Sequence, residues 1–144
     1  MASNAPIPVL LCGKIPGHIQ ATTEIMKPEF EIVEVCSSLD AARTALAERL
    51  SPWSVSPAEK RPRVVLMGGG FTQDDFSSVY EGVEGAKSVP WVRPAIMKPG
   101  AEDRAAIAQG PPSAEDVAGR LRKLLERHLG DLREGRGEGE VWWM

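Results

Sequence analysis

The sequence is poor in the residues that build disulfide scaffolds and structural metal sites. Its 144 residues include only two cysteines and two histidines. Cys12 and Cys36 belong to no C-x-x-C pair, and the histidines lie far apart, without H-x-H or H-E-x-x-H spacing. A disulfide scaffold and a bound metal are therefore not expected. We expect two buried, reduced thiols, with a reversible bridge or a nucleophile as the alternative.

Positive charge and long apolar runs are also scarce. The 17 Lys and Arg residues are outnumbered by 20 Asp and Glu residues, which gives a net charge of -3. This argues against nucleic acid as a partner, because a general nucleic-acid binder needs a basic surface. No apolar run approaches the ~20 residues of a membrane helix. The start, MASNAPIPVLLCG, has no basic segment before its apolar run, which predicts a strand, no signal peptide and a cytoplasmic location.

The sequence does contain a regular alternation of strand and helix patterns. Hydrophobic residues make up 42% of the chain, enough for a single packed α/β domain over residues 1–144. Strand patterns lie at 7–12, 30–36, 63–67 and 89–92, and helix patterns at 16–27, 39–50, after Thr72 and from Ser113 to Gly130. Such alternation predicts a parallel sheet with right-handed crossovers and helices on both faces. The simplest order is 2-1-3-4, which is flavodoxin-like or Rossmann-like.

The C-terminal region departs from this alternation. Residues 131–140 are charged and glycine-rich, which predicts a flexible segment before the apolar tail that begins at Val141. Trp142 and Trp143 favour burial, since each indole can bury ~200 Å² of largely apolar area. We expect the tail to add an edge strand. One ring would cover the domain and the other would meet a second copy in a homodimer, with packing of both rings on their own chain as the alternative.

A ligand site is expected at the carboxyl ends of the strands. In a doubly wound sheet, ligands bind there, at the switch point between the first and third strands. This position would bring together the loops at 13–18, 68–72 and 93–98. Lys14 and Arg93 are the candidates for polarising a substrate oxygen.

The remaining candidates follow from the chemistry of the same loops. His18 would carry a proton. The three consecutive glycines Gly68–Gly70 let a ligand approach bare backbone, and the amides at the start of the next helix favour an anion there. The alternative is that these glycines form only a tight turn between strand and helix. Asp74 and Asp75 partly oppose the positive charge that Lys14, Arg93 and Lys98 bring to the crevice, or they stabilise the first turn of the helix. The candidate ligand-binding residues are Cys12, Gly13, Gly68, Gly69, Gly70, Phe71, Thr72, Trp91 and Lys98.

The loop after the first strand has part of a nucleotide-binding pattern. A dinucleotide site needs G-x-G-x-x-G or G-x-x-x-G-x-G so that the backbone can touch the pyrophosphate. Gly13 and Gly17 supply G-x-x-x-G, but Ile19 stands at the third glycine position. Pro16 also lacks an amide donor. NADP therefore remains an alternative cofactor, favoured over NAD by nearby basic side chains.

Other phosphate and nucleophile sites each lack a required residue. The Gly-Lys pair has neither the preceding glycine nor the following Ser or Thr of a Walker A loop. A tyrosine-phosphatase loop, C-x5-R, would need arginine where this chain has His18. A response-regulator receiver would need a phosphoacceptor aspartate at the end of the third strand, where this chain has Gly68. No nucleophile elbow supports a Ser-His-Asp triad.

Three short motifs follow the predicted strands: an apolar strand ending in Gly-Lys at Leu10–Lys14, an L-x-G-G end of the third strand at Leu66–Gly70, and V-P-W-V-R-P at Val89–Pro94. Together they resemble a family of short fungal proteins of unassigned function. The resemblance spans most of the chain and implies a Rossmann-like single domain with no established reaction. In the family a polar residue, often aspartate, follows the Arg-Pro pair. Ala95 stands there in this chain, so no acid or base is implied at that point.

Together these features predict a small-molecule-binding α/β domain with an anion-favouring crevice. Its ligand would be anionic or carbonyl-bearing, and a reaction there would be of the non-redox kind, such as isomerisation, cyclisation or dehydration in fungal metabolism. An NADP-dependent reductase is one alternative. A non-catalytic interaction module with a vestigial nucleotide-binding fold is the other.

Overall fold

Each of the first four strands in the described part of the chain is followed along the sequence by a helix. The computed structural model describes residues 6–14, 16–27, 29–50, 61–68, 71–93, 114–134 and 137–143. Its strands are β1 (Ile7–Cys12), β2 (Phe30–Cys36), β3 (Val64–Met67), β4 (Trp91–Arg93) and β5 (Val141–Trp143). Its helices are α1 (Pro16–Met26), α2 (Leu39–Leu50), α3 (Gln73–Gly82), α4 (Ala114–Arg127) and α5 (Leu129–Arg133), with a 3-10 turn at Ala86–Ser88.

The five strands form one parallel sheet in the order β2-β1-β3-β4-β5. This confirms the predicted order 2-1-3-4 and the predicted edge strand from the C-terminal tail, and it is the flavodoxin-like arrangement. The fourth strand begins at Trp91, two residues later than predicted. The 3-10 turn ends at Ser88, and Pro90 has no amide to donate to a ladder, which together delay entry into the sheet.

Helices cover both faces of the sheet, as predicted. On one face, α2 and α3 pack through Leu46 and Phe76 against Val65, Met67 and Trp91. On the other face, α1, α4 and α5 bury a second core. This second core includes Val9, Met26, Phe30, Leu66, Leu121, Leu125, Leu132 and Trp142. Alternation of side chains along each strand divides its residues between the two cores.

The C-terminal helix ends differently from the prediction. α4 stops at Arg127, the chain turns at His128, and α5 continues past Gly130 to Arg133. The start of the segment predicted to be flexible, 131–140, is therefore helical. Burial explains this, because Leu132 is fully buried in the core and fixes the short helix against the sheet. Gly137 and Gly139 then adopt positive φ, at 95° and 74°, in the turn that leads into β5.

No helix in the described part of the chain is long and apolar enough to cross a membrane.

Thr72 caps α3 as predicted, and removing its hydroxyl is expected to destabilise the protein. The Thr72 Oγ1 accepts from the Asp75 amide at 3.0 Å, and the Asp75 carboxylate accepts from the Thr72 amide at 3.0 Å. Thr72→Ala should lower the free energy of unfolding by about 1 kcal/mol in urea titrations. Thr44→Ala, at an exposed position within α2, is the matched control. An equal loss in both variants would contradict the capping role.

Candidate functional site

The carboxyl ends of β1, β2 and β3 are joined by backbone hydrogen bonds that hold two loops at one edge of the sheet. The Gly68 amide donates to the Cys12 carbonyl at 2.9 Å, and the Gly13 amide donates to the Cys36 carbonyl at 2.9 Å. The loop after β1 and the loop after β3 therefore start side by side. This is the switch point at which ligands bind in sheets of this order.

Lys14 is exposed and lies over an aromatic ring of the neighbouring loop. Its Nζ is 4.8 Å from the centroid of Phe71, a residue that is otherwise buried. This is a cation–π distance, and it holds the ammonium at the edge of the sheet while leaving it open to solvent. In the described residues no carboxylate lies within the 4.0 Å of an ion pair with Lys14. Lys14 is therefore a cation available to a ligand.

The start of α3 is less suited to an anion than the sequence suggested. The Phe71 amide already donates to the Gly68 carbonyl, at 3.2 Å, and the Thr72 amide donates to Asp75. The hydrogen bond from the Thr72 amide holds the pKa of Asp75 below its ordinary value, and Lys14 and Arg93 add to this effect. A charged carboxylate therefore already occupies this helix N-terminus. The prediction that amides near Phe71 and Thr72 bind an anion needs correction.

Arg93 is buried and binds the backbone of the β3–α3 loop. Its Nη1 donates to the carbonyls of Met67 (3.2 Å) and Gly68 (3.0 Å), and its Nη2 donates to the carbonyl of Phe71 (3.2 Å). Its Cζ lies 5.4 Å from the Phe76 ring centroid. Burial lowers the pKa of Arg93, and the Asp75 carboxylate acts in the opposite direction. Arg93 fixes the loop in this conformation, so the predicted role of polarising a substrate oxygen does not suit it.

α1 begins beside Lys14 without any acidic residue in its first turn. Pro16 occupies its first position, where a missing amide costs nothing. An added Cβ at Gly17 would meet no described residue within 4 Å. His18 follows and is half-buried. No described hydrogen bond or ion pair joins His18 to Lys14.

The Gly13 backbone is covered by a side chain of α1. An added Cβ at Gly13 would lie 3.1 Å from Cγ1 of Ile19, the residue at the third glycine position of a dinucleotide loop. The isoleucine thus packs where a bare backbone would face pyrophosphate. An added Cβ at Gly68 would lie 3.6 Å from the Cys12 carbonyl oxygen, which is an ordinary contact.

Other predicted ligand-binding residues are placed away from solvent or outside the described residues. Trp91 is fully buried, its Nε1 donates to the Ala86 carbonyl at 2.7 Å, and its ring meets Phe76 edge-on at 5.5 Å. Cys12 is also fully buried. Both are core residues in this structure, which corrects their assignment to the ligand. The predicted contributions of Gly69, Gly70 and Lys98 lie outside the described residues.

From the sequence we predicted that Asp74 and Asp75 stabilise the first turn of α3 or oppose the positive charge there, but not that Asp75 forms a capping box with Thr72. The signal for it was present, because Thr72 and Asp75 have the spacing of a capping box. In the part of the chain that the structure describes, no group of three or more His, Cys, Asp or Glu side chains could hold a metal ion.

Comparison with known proteins gives one similar fungal sequence. No protein-family model matches the chain. It is 28% identical over 127 residues to Kojic acid related protein 6 of Aspergillus oryzae, covering 85% of this chain and 77% of that protein. Among solved structures, the response regulator domain of Thermotoga maritima CheB has a TM-score of 0.48 and 15% identity, over 87% of this chain and 97% of that domain. The strand order makes the chain a flavodoxin-like α/β protein, and its sequence is similar to that of a fungal protein.

Proposed function

We propose that the chain binds a small anionic or carbonyl-bearing molecule between the β1–α1 and β3–α3 loops, with Lys14 as the main contact. The observation that carries this proposal is the exposed Lys14 ammonium, held over Phe71 with no ion-pair partner among the described residues. A fixed cation at the switch point of a doubly wound sheet lies where such folds bind ligands.

Helix electrostatics favour the α1 side of this crevice for the negative group. The N-terminus of a helix carries a partial positive charge, and that of α1 has no acidic side chain in its first turn. The N-terminus of α3 has Asp74 and Asp75 in its first turn. Lys14 and the amides near Gly17 therefore form the more positive wall, and a carboxylate, phosphate or polarised carbonyl oxygen would lie against it.

A reaction at this site would use Lys14 and His18. The Lys14 ammonium would stabilise negative charge that develops on a substrate oxygen, and the His18 imidazole would move a proton. These two groups suit isomerisation, cyclisation or dehydration. Reduction with NADP is disfavoured, because the Ile19 side chain covers Gly13 where a pyrophosphate would approach the backbone. The name of the Aspergillus relative refers to kojic acid, a small molecule with a ring carbonyl, which makes that compound a suitable probe.

Titration with inorganic phosphate and with kojic acid, followed by amide resonances, tests the site. We expect shifts at Gly17 and His18, and an affinity about tenfold weaker in Lys14→Gln, which corresponds to loss of about 1.4 kcal/mol. Lys27→Gln is the matched control, since Lys27 is also exposed but follows the other end of α1. Equal weakening in both variants would indicate general screening of charge and would contradict a site at Lys14.

NADPH serves as a third titrant. Under the proposal its fluorescence should show no saturable change with the wild-type chain. Saturable binding that Lys14→Gln weakens and Lys27→Gln does not would instead support the reductase alternative.

A further inference from the structure

The two cysteines lie directly opposite each other on neighbouring strands. Cys12 is the last residue of β1, Cys36 is the last residue of β2, and the two are paired in the parallel register. Both are free thiols and both are buried, with 0% and 1% exposure. Both belong to the core under α2 and α3, so their side chains point to the same face of the sheet.

The two sulfur atoms interact. Each of the two thiols shifts the pKa of the other, and the Cys36 thiol donates to the Ala41 carbonyl oxygen at 3.6 Å. Paired residues on adjacent strands have Cα atoms about 4.8 Å apart, which lies within the 4.4–6.8 Å that a disulfide spans. Forming a bond between these sulfurs therefore requires only a small movement of the strand ends.

We propose that Cys12 and Cys36 form an intramolecular disulfide on exposure to a peroxide, and that the bond alters the loop that carries Lys14. The Cys36 thiolate attacks one peroxide oxygen, the O–O bond breaks, and hydroxide leaves with formation of a sulfenic acid. The Cys12 sulfur then attacks the Cys36 sulfur, its proton is released, and the S–O bond breaks to give water. In total, two thiols and one hydrogen peroxide yield one disulfide and two waters.

The environment makes Cys36 the sulfur that reacts first. Interaction with the Cys12 thiol lowers the pKa of Cys36, while interaction with the Cys36 sulfur, followed by burial, raises the pKa of Cys12. Peroxide can reach the sulfur atoms through a local opening, because exposed Ser37 follows Cys36 and half-buried Gly13 follows Cys12. Opening of the strand ends is enough to admit a molecule as small as hydrogen peroxide, with the rest of the sheet left in place.

The same two residues hold the loops of the proposed binding site. The Cys36 carbonyl accepts from the Gly13 amide, and the Cys12 carbonyl accepts from the Gly68 amide, each at 2.9 Å. A bond that draws the two side chains together shifts these carbonyls. Lys14 is the residue after Gly13 and moves with it. The oxidation state of the two thiols is therefore coupled to the position of the Lys14 ammonium.

Peptide mapping of the reduced full-length chain after treatment with hydrogen peroxide tests the bond itself. Trypsin should release residues 1–14 linked to residues 15–43, because the Lys27–Pro28 bond resists trypsin. The expected mass is two hydrogen atoms below the sum of the two peptides, and dithiothreitol should separate them. Cys12→Ser should instead accumulate a sulfenic acid at Cys36, trapped by dimedone. Disulfides only between chains, or sulfinic acid without any disulfide, would overturn the proposal.

Amide resonances of the wild-type chain provide a second measurement that does not depend on how the variants fold. Oxidation should shift the amides of Gly13 and Lys14 and leave Lys123, on the far part of α4, unchanged. If oxidation were no faster than global unfolding, Cys12 and Cys36 would react only in the unfolded chain. That result would refute disulfide formation in the folded protein. Neither readout uses a ligand, so the result is independent of the proposed function.

Discussion

Replacement of Arg93 with alanine should lower the free energy of unfolding by roughly 3–5 kcal/mol. The guanidinium is fully buried and donates to the carbonyls of Met67, Gly68 and Phe71. Its removal takes a donor from each of these carbonyls, of which Gly68 keeps the Phe71 amide, and each carbonyl left buried without a donor costs roughly 1–3 kcal/mol. It also leaves a cavity beneath the loop, which adds to the loss.

Two further variants separate the geometry of the guanidinium from its charge. Arg93→Lys keeps the charge, but a single ammonium cannot reproduce the forked contacts of the guanidinium with carbonyls of different residues. Its free energy of unfolding should therefore lie between those of wild type and Arg93→Ala. Arg120→Ala, on the exposed side of α4, is the control and should change stability by no more than about 0.5 kcal/mol. Urea titration measures all three. If Arg93→Ala were as stable as Arg120→Ala but no longer bound phosphate, Arg93 would be a ligand contact after all.

Arg93 also shows what sequence patterns could and could not predict here. Its place at the end of β4 followed from the alternation of strands and helices, and the topology confirms that placement. Its burial did not follow, because its partners are backbone carbonyls more than 20 residues away, and any residue supplies a backbone carbonyl. A cation near a predicted crevice therefore looks the same in sequence whether it faces a ligand or binds a loop.

The fold was more predictable than the site because local patterns determine its elements. β1 and β2 have the predicted bounds, since β1 is a short continuous apolar run, β2 has an alternating pattern, and small or polar residues follow both. The contact of Lys14 with Phe71 depends on two loops 57 positions apart (71 minus 14) that meet only after the sheet has formed. Topology predicts that such loops share an edge, but it does not predict which side chains touch.

Trp142 is the residue through which the C-terminal strand is held to the domain. Its ring stacks on His128, with centroids 3.8 Å apart and planes within 9°. Its Nε1 donates to the Glu140 carboxylate at 2.9 Å, and it is only 9% exposed. This tryptophan therefore packs on its own chain. The predicted contact of the neighbouring tryptophan with a second copy stays a prediction, since the Trp143 side chain lies outside the described residues.

Trp142→Ala should lower the free energy of unfolding by roughly 3–5 kcal/mol, since a buried indole and its stacking partner are lost together. Trp142→Phe keeps an aromatic ring against His128 and should lose less than half of that amount. Val35→Ala, on the opposite edge strand with 44% exposure, is the control and should cost no more than about 0.5 kcal/mol. A loss in Trp142→Ala no larger than this control would mean that β5 adds little to the fold.

Sedimentation of the wild-type chain and of a chain that lacks residues 141–144 decides between self-association and packing within one chain. Deletion of residues 141–144 removes β5 with its pairing to β4, so it should lower stability under either interpretation. Only a dimer formed through this edge predicts that the deletion also changes the sedimentation coefficient from that of a dimer to that of a monomer. A wild-type chain that sediments as a monomer at tens of micromolar would contradict the homodimer. The apolar tail would then serve only to close the edge of its own sheet.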